Sequence, residues 1–193
     1  KRKKNKVKTI LLAPGYFYAY RKYNMMAEIE NIIRMFVKKK EFKILFRPHP
    51  LDLTKKGNFG LVKKINNKFR NFKNFIFDNK ISYNDSFIQS DILITDLSST
   101  AYTYSFSTLK PVLFFSKCEK DLKKQSFFKT NYFNDRKKIG ALSEKVKLLP
   151  YFVKMLLSKK YQFQKKIKNL RKRRIQNLLS SKMKTIETIN KII

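Results

Sequence analysis

The run DILITDLSSTAYTYSFSTLKPVLFF, residues 91–115, decides the fold. Its two ends, DILIT (91–95) and PVLFF (111–115), are short unbroken apolar runs, the pattern of strands covered on both faces; a strand with one wet face would alternate. Between them SSTAYTYSFST (98–108) fits a helix opened by hydroxyl residues. Two strands separated by one helix run parallel, because a crossover of that length returns the chain to the same edge of the sheet.

The pattern repeats upstream. TILLA (9–13), KILF (43–46) and NFIF (74–77) have the same continuous apolar character. After the first, Met25, Met26, Ile29, Ile32, Ile33, Phe36 and Val37 recur at helical spacing, with Asn24 placed to cap and Glu28 and Glu30 suited to the first turn. Leu61, Val62, Ile65 and Phe69 mark a second helix after the GNFG turn. SYND (82–85) has capping-box spacing for a short third. The economical solution is an α/β fold, a doubly wound parallel sheet with right-handed crossovers.

From about Ser143 the character changes. Residues 145–193 carry 15 Lys or Arg and one acid, Glu187, without a strand pattern. Val153, Leu156, Leu157, Ile167, Leu170, Ile175 and Leu178 recur at helical intervals. The expected division is a sheet domain over 1–144 and a basic helical extension over 145–193.

Composition limits the function. The net charge of +33, from 46 basic and 13 acidic residues, attracts polyanions whatever the fold. Lys outnumbers Arg 37 to 9, whereas phosphate reading favours the Arg fork. The tail NLRKRRIQNLLSSKMK lacks the aromatics that stack on bases, which argues against nucleic acid as a partner. Its basic helices with Leu and Ile faces suit an anionic membrane surface better, or else pack back on the sheet. One cysteine, Cys118, and one histidine, His49, exclude an internal disulfide and a Cys/His metal cluster. No apolar run approaches the ~18 to 20 residues that span a bilayer. The chain opens on Lys1, and is expected to be a fragment of a longer protein.

In an open α/β sheet ligands bind beyond the carboxyl ends of the strands, where helix N-termini present free N–H groups. Two stretches stand there. KILFRPHPLD (43–52) wedges His49 between two prolines after the second strand. TDLSST (95–100) puts Ser98, Ser99 and Thr100 where the fourth strand gives way to a helix, a cradle for phosphate or carboxylate. Gly15, Gly57, Gly60 and Gly140 form no dinucleotide or Walker loop, so phosphate recognition falls to helix termini and His49.

These residues resemble the C-terminal half of the CDP-glycerol glycerophosphotransferases of teichoic acid and capsule synthesis. That family carries an Arg-x-His-Pro corner, then a Ser-Asp-hydrophobic strand ending in Thr-Asp-x-Ser-Ser, then Lys-Pro before an apolar strand. Arg47, His49 and Pro50 match the first element. Ser90, Asp91, Thr95, Asp96, Ser98 and Ser99 match the second, and Lys110 and Pro111 the third. ILLAPGY resembles the strand that opens this half, and the resemblance covers about residues 7–116. Three departures stand out: Leu97 replaces the usual aromatic, the Ser-to-Pro spacing is one residue longer, and the following helix lacks the family's usual acid, Thr103 standing nearest.

The resemblance implies a Rossmann-like half of a GT-B transferase that binds a nucleotide-linked donor, CDP-glycerol or similar. It further implies transfer of glycerophosphate to an acceptor polymer, at the cytoplasmic face of the plasma membrane. His49 is the expected catalytic residue, contacting the donor pyrophosphate. Arg47, Asp96, Ser98, Ser99, Thr100 and Thr103 are expected to bind substrate, with no metal and no cofactor. A second functional histidine of the family lies upstream of this half. The alternatives are a capsule glycosyltransferase using a CMP- or other nucleotide-linked sugar, and a non-catalytic basic module for membrane or RNA.

Overall fold

A computed structural model describes residues 7–17, 21–54, 58–125, 129–175 and Met183. Six parallel strands form its centre: β1 (Lys8–Leu12), β2 (Phe42–Phe46), β3 (Phe75–Phe77), β4 (Ile92–Thr95), β5 (Val112–Phe115) and β6 (Gly140–Ser143). Their order is β3-β2-β1-β4-β5-β6. β1 pairs with β2 on one side, Leu12 opposite Phe46, and with β4 on the other, Leu12 opposite Ile94. The chain therefore reverses its direction of winding at β1, and the crevice between the ends of β1 and β4 is the switch point of the sheet.

Five strands fall on the expected apolar runs. β6 does not. Its sequence, GALS, is too short and too mixed to give a strand pattern. It forms because Gly140 has no side chain: a β-carbon there would lie 1.7 Å from the Val112 carbonyl oxygen on β5.

The helices are α1 (Ile29–Val37), α2 (Phe59–Phe69), α3 (Asn84–Gln89), α4 (Thr100–Thr108), α5 (Glu119–Leu122), α6 (Asn131–Ile139), α7 (Leu149–Ser158) and α8 (Lys160–Arg174). Asn24 caps as expected, its oxygen accepting from the Met26 N–H at 2.8 Å, but the turn it opens is a 3-10 helix, Met25–Glu28, that leads into α1. At α3 the capping box is replaced by a tighter turn. Ser82 Oγ accepts from the Asn84 N–H two residues on, at 3.2 Å, and Asp85 pairs with Lys80. The far end of α3 is held by Lys110, whose ammonium donates to the carbonyls of Phe87, Ile88 and Ser90 at 2.6–3.0 Å. A cation is favourable there because the carbonyls of a helix's last turn lack partners.

α1 packs against α7, while α4 packs against α3 and α8, and α8 against α6. The basic region beyond residue 145 shares the core of the sheet: Leu149, Val153, Leu156, Phe163, Ile167 and Leu170 are buried with the strand residues. α8 turns Lys165, Lys166, Lys168 and Lys172 outward, so its apolar stripe is already covered by protein. Leu178 and the residues after Ile175, Met183 excepted, lie outside the described residues. Among those described, no helix is long and apolar enough to cross a membrane, and no group of three or more His, Cys, Asp or Glu could hold a metal.

Candidate functional site

At the carboxyl ends of β1, β2 and β4 lie two adjoining cavities of about 290 and 270 Å³ that share His49 and Ser99. The first is walled by Gly15, Tyr16, Asn24, Asp96 and Ser98, the second by Arg47, Tyr83, Thr100 and Thr103. The two stretches singled out in the sequence thus meet in one cleft, which includes every expected site residue. A larger cavity, about 550 Å³ between α1 and the 146–147 turn, includes none of them.

His49 is half-buried at the corner after β2. Pro50 follows it in the first position of a 3-10 turn, Pro50–Leu53, and His49 Nδ1 accepts from the Leu51 N–H at 3.2 Å. A ring nitrogen that accepts carries no proton, so the proton of the neutral ring sits on Nε2, leaving that atom as the donor. Burial pushes the pKa of the ring down, against the pull of Asp52, which favours the charged form. The Tyr16 ring lies 5.5 Å away, tilted, as one wall of the corner. The neutral ring that this shift favours offers an N–H, not an imidazolium.

The hydroxyl corner after β4 is more differentiated than the sequence implies. Ser98 Oγ donates to Thr100 Oγ1 at 2.9 Å and accepts from the Thr100 N–H at 3.3 Å, so Ser98 caps its own turn. Ser99 is exposed, and its side chain makes no capping bond. Thr103, exposed one turn into α4, faces the cavity that also holds Arg47.

Arg47 and Asp96 build the frame of the cleft. The Arg47 guanidinium donates to Asp78 Oδ2 at 2.9 Å and to the carbonyls of Lys80 and Ile81 at 2.8 and 3.2 Å, fixing the loop that carries Tyr83. Burial pushes the Asp78 carboxyl up, but bonds from Ser86, Arg47 and the Lys80 amide outweigh it and hold the group below its usual range. Asp96, fully enclosed, accepts from the Gly15 N–H and the Met25 N–H, both at 2.9 Å. It ties the loop after β1 to the start of the 3-10 turn before α1. Its pKa is pushed up by burial, partly offset by those amides.

Three residues of this frame carried no local sign of their role, Gly15, Asp52 and Asp78, and Asn24 was legible only as a cap. Asn24 adds to its cap a bond from its amide to the Gly15 carbonyl at 2.8 Å. Asp52, buried below His49, accepts from the amides of Phe17 and Asn58 at 3.2 and 3.4 Å.

Comparison with known proteins gives the family and the fold. A profile for CDP-Glycerol:Poly(glycerophosphate) glycerophosphotransferase matches residues 2–177. The minor teichoic acid biosynthesis protein GgaB of Bacillus subtilis (strain 168) is 30% identical over 125 residues, 63% of this chain and 12% of GgaB. The wall teichoic acid polymerase TagF superimposes with a TM-score of 0.59 at 25% identity, covering 86% of this chain and 38% of TagF. A TagF variant soaked with CDPG shares the fold at TM-score 0.53 and 22% identity, over 86% of this chain and 36% of that one. The chain spans about an eighth of GgaB and under two-fifths of TagF. With nine-tenths of its length inside the family profile, this chain belongs to the CDP-glycerol:poly(glycerophosphate) glycerophosphotransferase family.

Proposed function

We propose that this chain is the donor-binding half of a glycerophosphotransferase that uses CDP-glycerol in teichoic acid synthesis. The observation that carries the reading is the meeting of His49 and the Ser99 end of α4 in one cleft at the switch point of the sheet. In the transfer, an acceptor hydroxyl attacks the glycerol-bearing phosphorus, the bond from that phosphorus to the bridging oxygen breaks, and CMP departs with the electron pair. Negative charge grows on the departing phosphate. His49 Nε2–H, the Ser99 hydroxyl and the positive end of α4 are suited to stabilise it. Arg47 and Asp96 act by holding the walls. The group that takes the proton from the acceptor is assigned to a separate domain, so that the complete site forms when two domains close on the donor.

Calorimetric titration of the chain with CDP, CMP and cytidine tests the reading. CDP is expected to bind at least about tenfold tighter than cytidine, since charge-assisted hydrogen bonds are the strong ones. Equal affinity would remove phosphate recognition from this cleft. The isolated chain is expected to transfer nothing, and robust turnover with added acceptor would refute the division into halves.

The outward lysines of α8 favour a peripheral position at the anionic inner face of the plasma membrane, close to the acceptor polymer. With the apolar stripe of α8 covered, this attraction is electrostatic and acts over about a Debye length, ~8 to 10 Å. Binding to anionic vesicles should fall steeply with salt. Binding that is indifferent to salt would exclude it.

A further inference from the structure

The turn that carries Ser98 and Ser99 is fastened to α6 by two tyrosines bonding in opposite directions. The Tyr132 hydroxyl, at the start of α6, donates to the Ser98 carbonyl at 3.0 Å. The Tyr102 hydroxyl, in the first turn of α4, donates to the carbonyl of Tyr132. Their rings lie 5.2 Å apart. Burial pushes the Tyr102 pKa up, so its hydroxyl keeps the proton this bond needs.

This clasp bears on the cleft through the geometry of one peptide unit. A trans peptide is planar, so the direction of the Ser98 carbonyl fixes that of the Ser99 N–H, which points the opposite way. The carbonyl is held twice, by Tyr132 and by the Ala101 N–H at 3.2 Å. The Ser99 N–H has no hydrogen-bond partner among the described residues, and its residue lines both cavities. α6 is an anchored base for the clasp. Arg174 of α8 donates to Asp135 Oδ2 at 2.7 Å and to Asn131 Oδ1 at 2.8 Å, and Asp135, itself 1% exposed, also accepts from Lys138.

We infer that Tyr132 is a positioning residue for phosphate recognition, aiming the Ser99 amide through the Ser98 carbonyl. The inference rests on the donor-cleft reading above and extends it to a helix that touches no donor.

The test compares CDP and cytidine binding in the full chain, in Tyr132→Phe and in Tyr102→Phe. Each substitution removes one hydroxyl and keeps the ring contact. Tyr132→Phe is expected to weaken CDP roughly 3- to 10-fold, the scale of one hydrogen bond, with cytidine unchanged. Its melting temperature is expected to stay within about 3 °C of wild type. Tyr102→Phe should move the CDP-to-cytidine ratio the same way, and carries the test if Tyr132→Phe folds poorly. Variants that keep the wild-type ratio overturn the inference, as does equal weakening of both ligands together with a large fall in melting temperature. A wild-type chain that binds CDP no better than cytidine overturns the donor reading itself, and the role of Tyr132 with it.

Discussion

Asp96 Oδ1 stands 2.9 Å from the Gly15 amide nitrogen, and the same oxygen lies 2.9 Å from the point that a Gly15 β-carbon would occupy. The carboxylate cannot retreat cheaply, because its other oxygen is bonded to the Met25 N–H. Gly15→Ala should therefore break one or both bonds and leave an enclosed carboxylate short of partners, at a cost of about 1–3 kcal/mol. Urea unfolding measures the loss, and titration should show weaker CDP binding alongside it. A variant as stable as wild type would mean that the loop after β1 yields freely.

On the proposed reading His49 has two jobs on two nitrogens, and two substitutions separate them. Asn at this position can accept from the Leu51 N–H as Nδ1 does, but has no second ring nitrogen to donate as Nε2 is proposed to do. His49→Asn should melt close to wild type and lose about tenfold or more in CDP affinity. His49→Ala should lose the affinity and, with the cap, about 0.5–2 kcal/mol of stability. If His49→Asn binds CDP like wild type, the histidine is a corner and nothing more.

The buried, lowered pKa of His49 gives a pH signature. In the window below the unfolded value of ~6.5, the unfolded chain binds the proton more readily than the folded one, so stability falls as pH falls through it. Wild type should lose stability between pH 7 and about pH 5 by an increment that His49→Asn lacks. Asp96, raised by burial, titrates in both proteins and drops out of the difference, whereas Asp52, raised by burial but held down by the charged ring, titrates with His49 and belongs to the same increment. Parallel curves for the two proteins would show that the ring titrates normally.

Arg47→Met should expose how much the 78–81 loop depends on one guanidinium. Asp78, whose side chain is 4% exposed, would keep Ser86 and the Lys80 amide but lose its cation. Removing one partner of a buried pair costs about 3–5 kcal/mol. Thermal melts measure the cost, and a loss under about 1 kcal/mol would place the loop's stability elsewhere.

Truncation tests how far the sheet depends on α8. Ending the chain after Lys159 deletes Phe163, Ile167 and Leu170 from the core. At roughly 1.5–3 kcal/mol for each buried side chain, that approaches the whole stability of a domain. The shortened chain should be unfolded by circular dichroism. A folded chain ending at Lys159 would show α8 to be dispensable.

Much of this fold was legible because strands covered on both faces must be apolar throughout, as ILIT and VLFF are. α6 was not. It buries Phe133 and Ile139 but also Asp135 and Arg136, and Arg136 pairs with the enclosed Glu119 and stacks over Phe114 and Phe133. A helix that satisfies its burial with an ion pair has no apolar period to detect. At the site, His49 and the Ser98–Thr100 run stood out because strand ends are where ligands bind. Asp78 did not, since its meaning depends on Arg47, 31 residues earlier in the chain.

The strand order has a consequence for how the cleft comes into being during synthesis. β1, β2 and β3 can associate as soon as residues 8–77 have emerged, and they carry the His49 corner with them. β1 stays half-paired until β4 arrives, with Thr9 waiting for Asp91, 82 residues downstream. The Ser98 turn then remains unclasped until Tyr132 is made, and α6 unanchored until Arg174 follows. Closing such distant contacts is slow compared with local pairing. A nascent chain thus displays one wall of its cleft, with the open side of β1 in need of shielding, until β4 and the Ser98 turn emerge about twenty residues after β3, and the second wall is fully anchored only when Arg174 is made, nearly one hundred residues after β3.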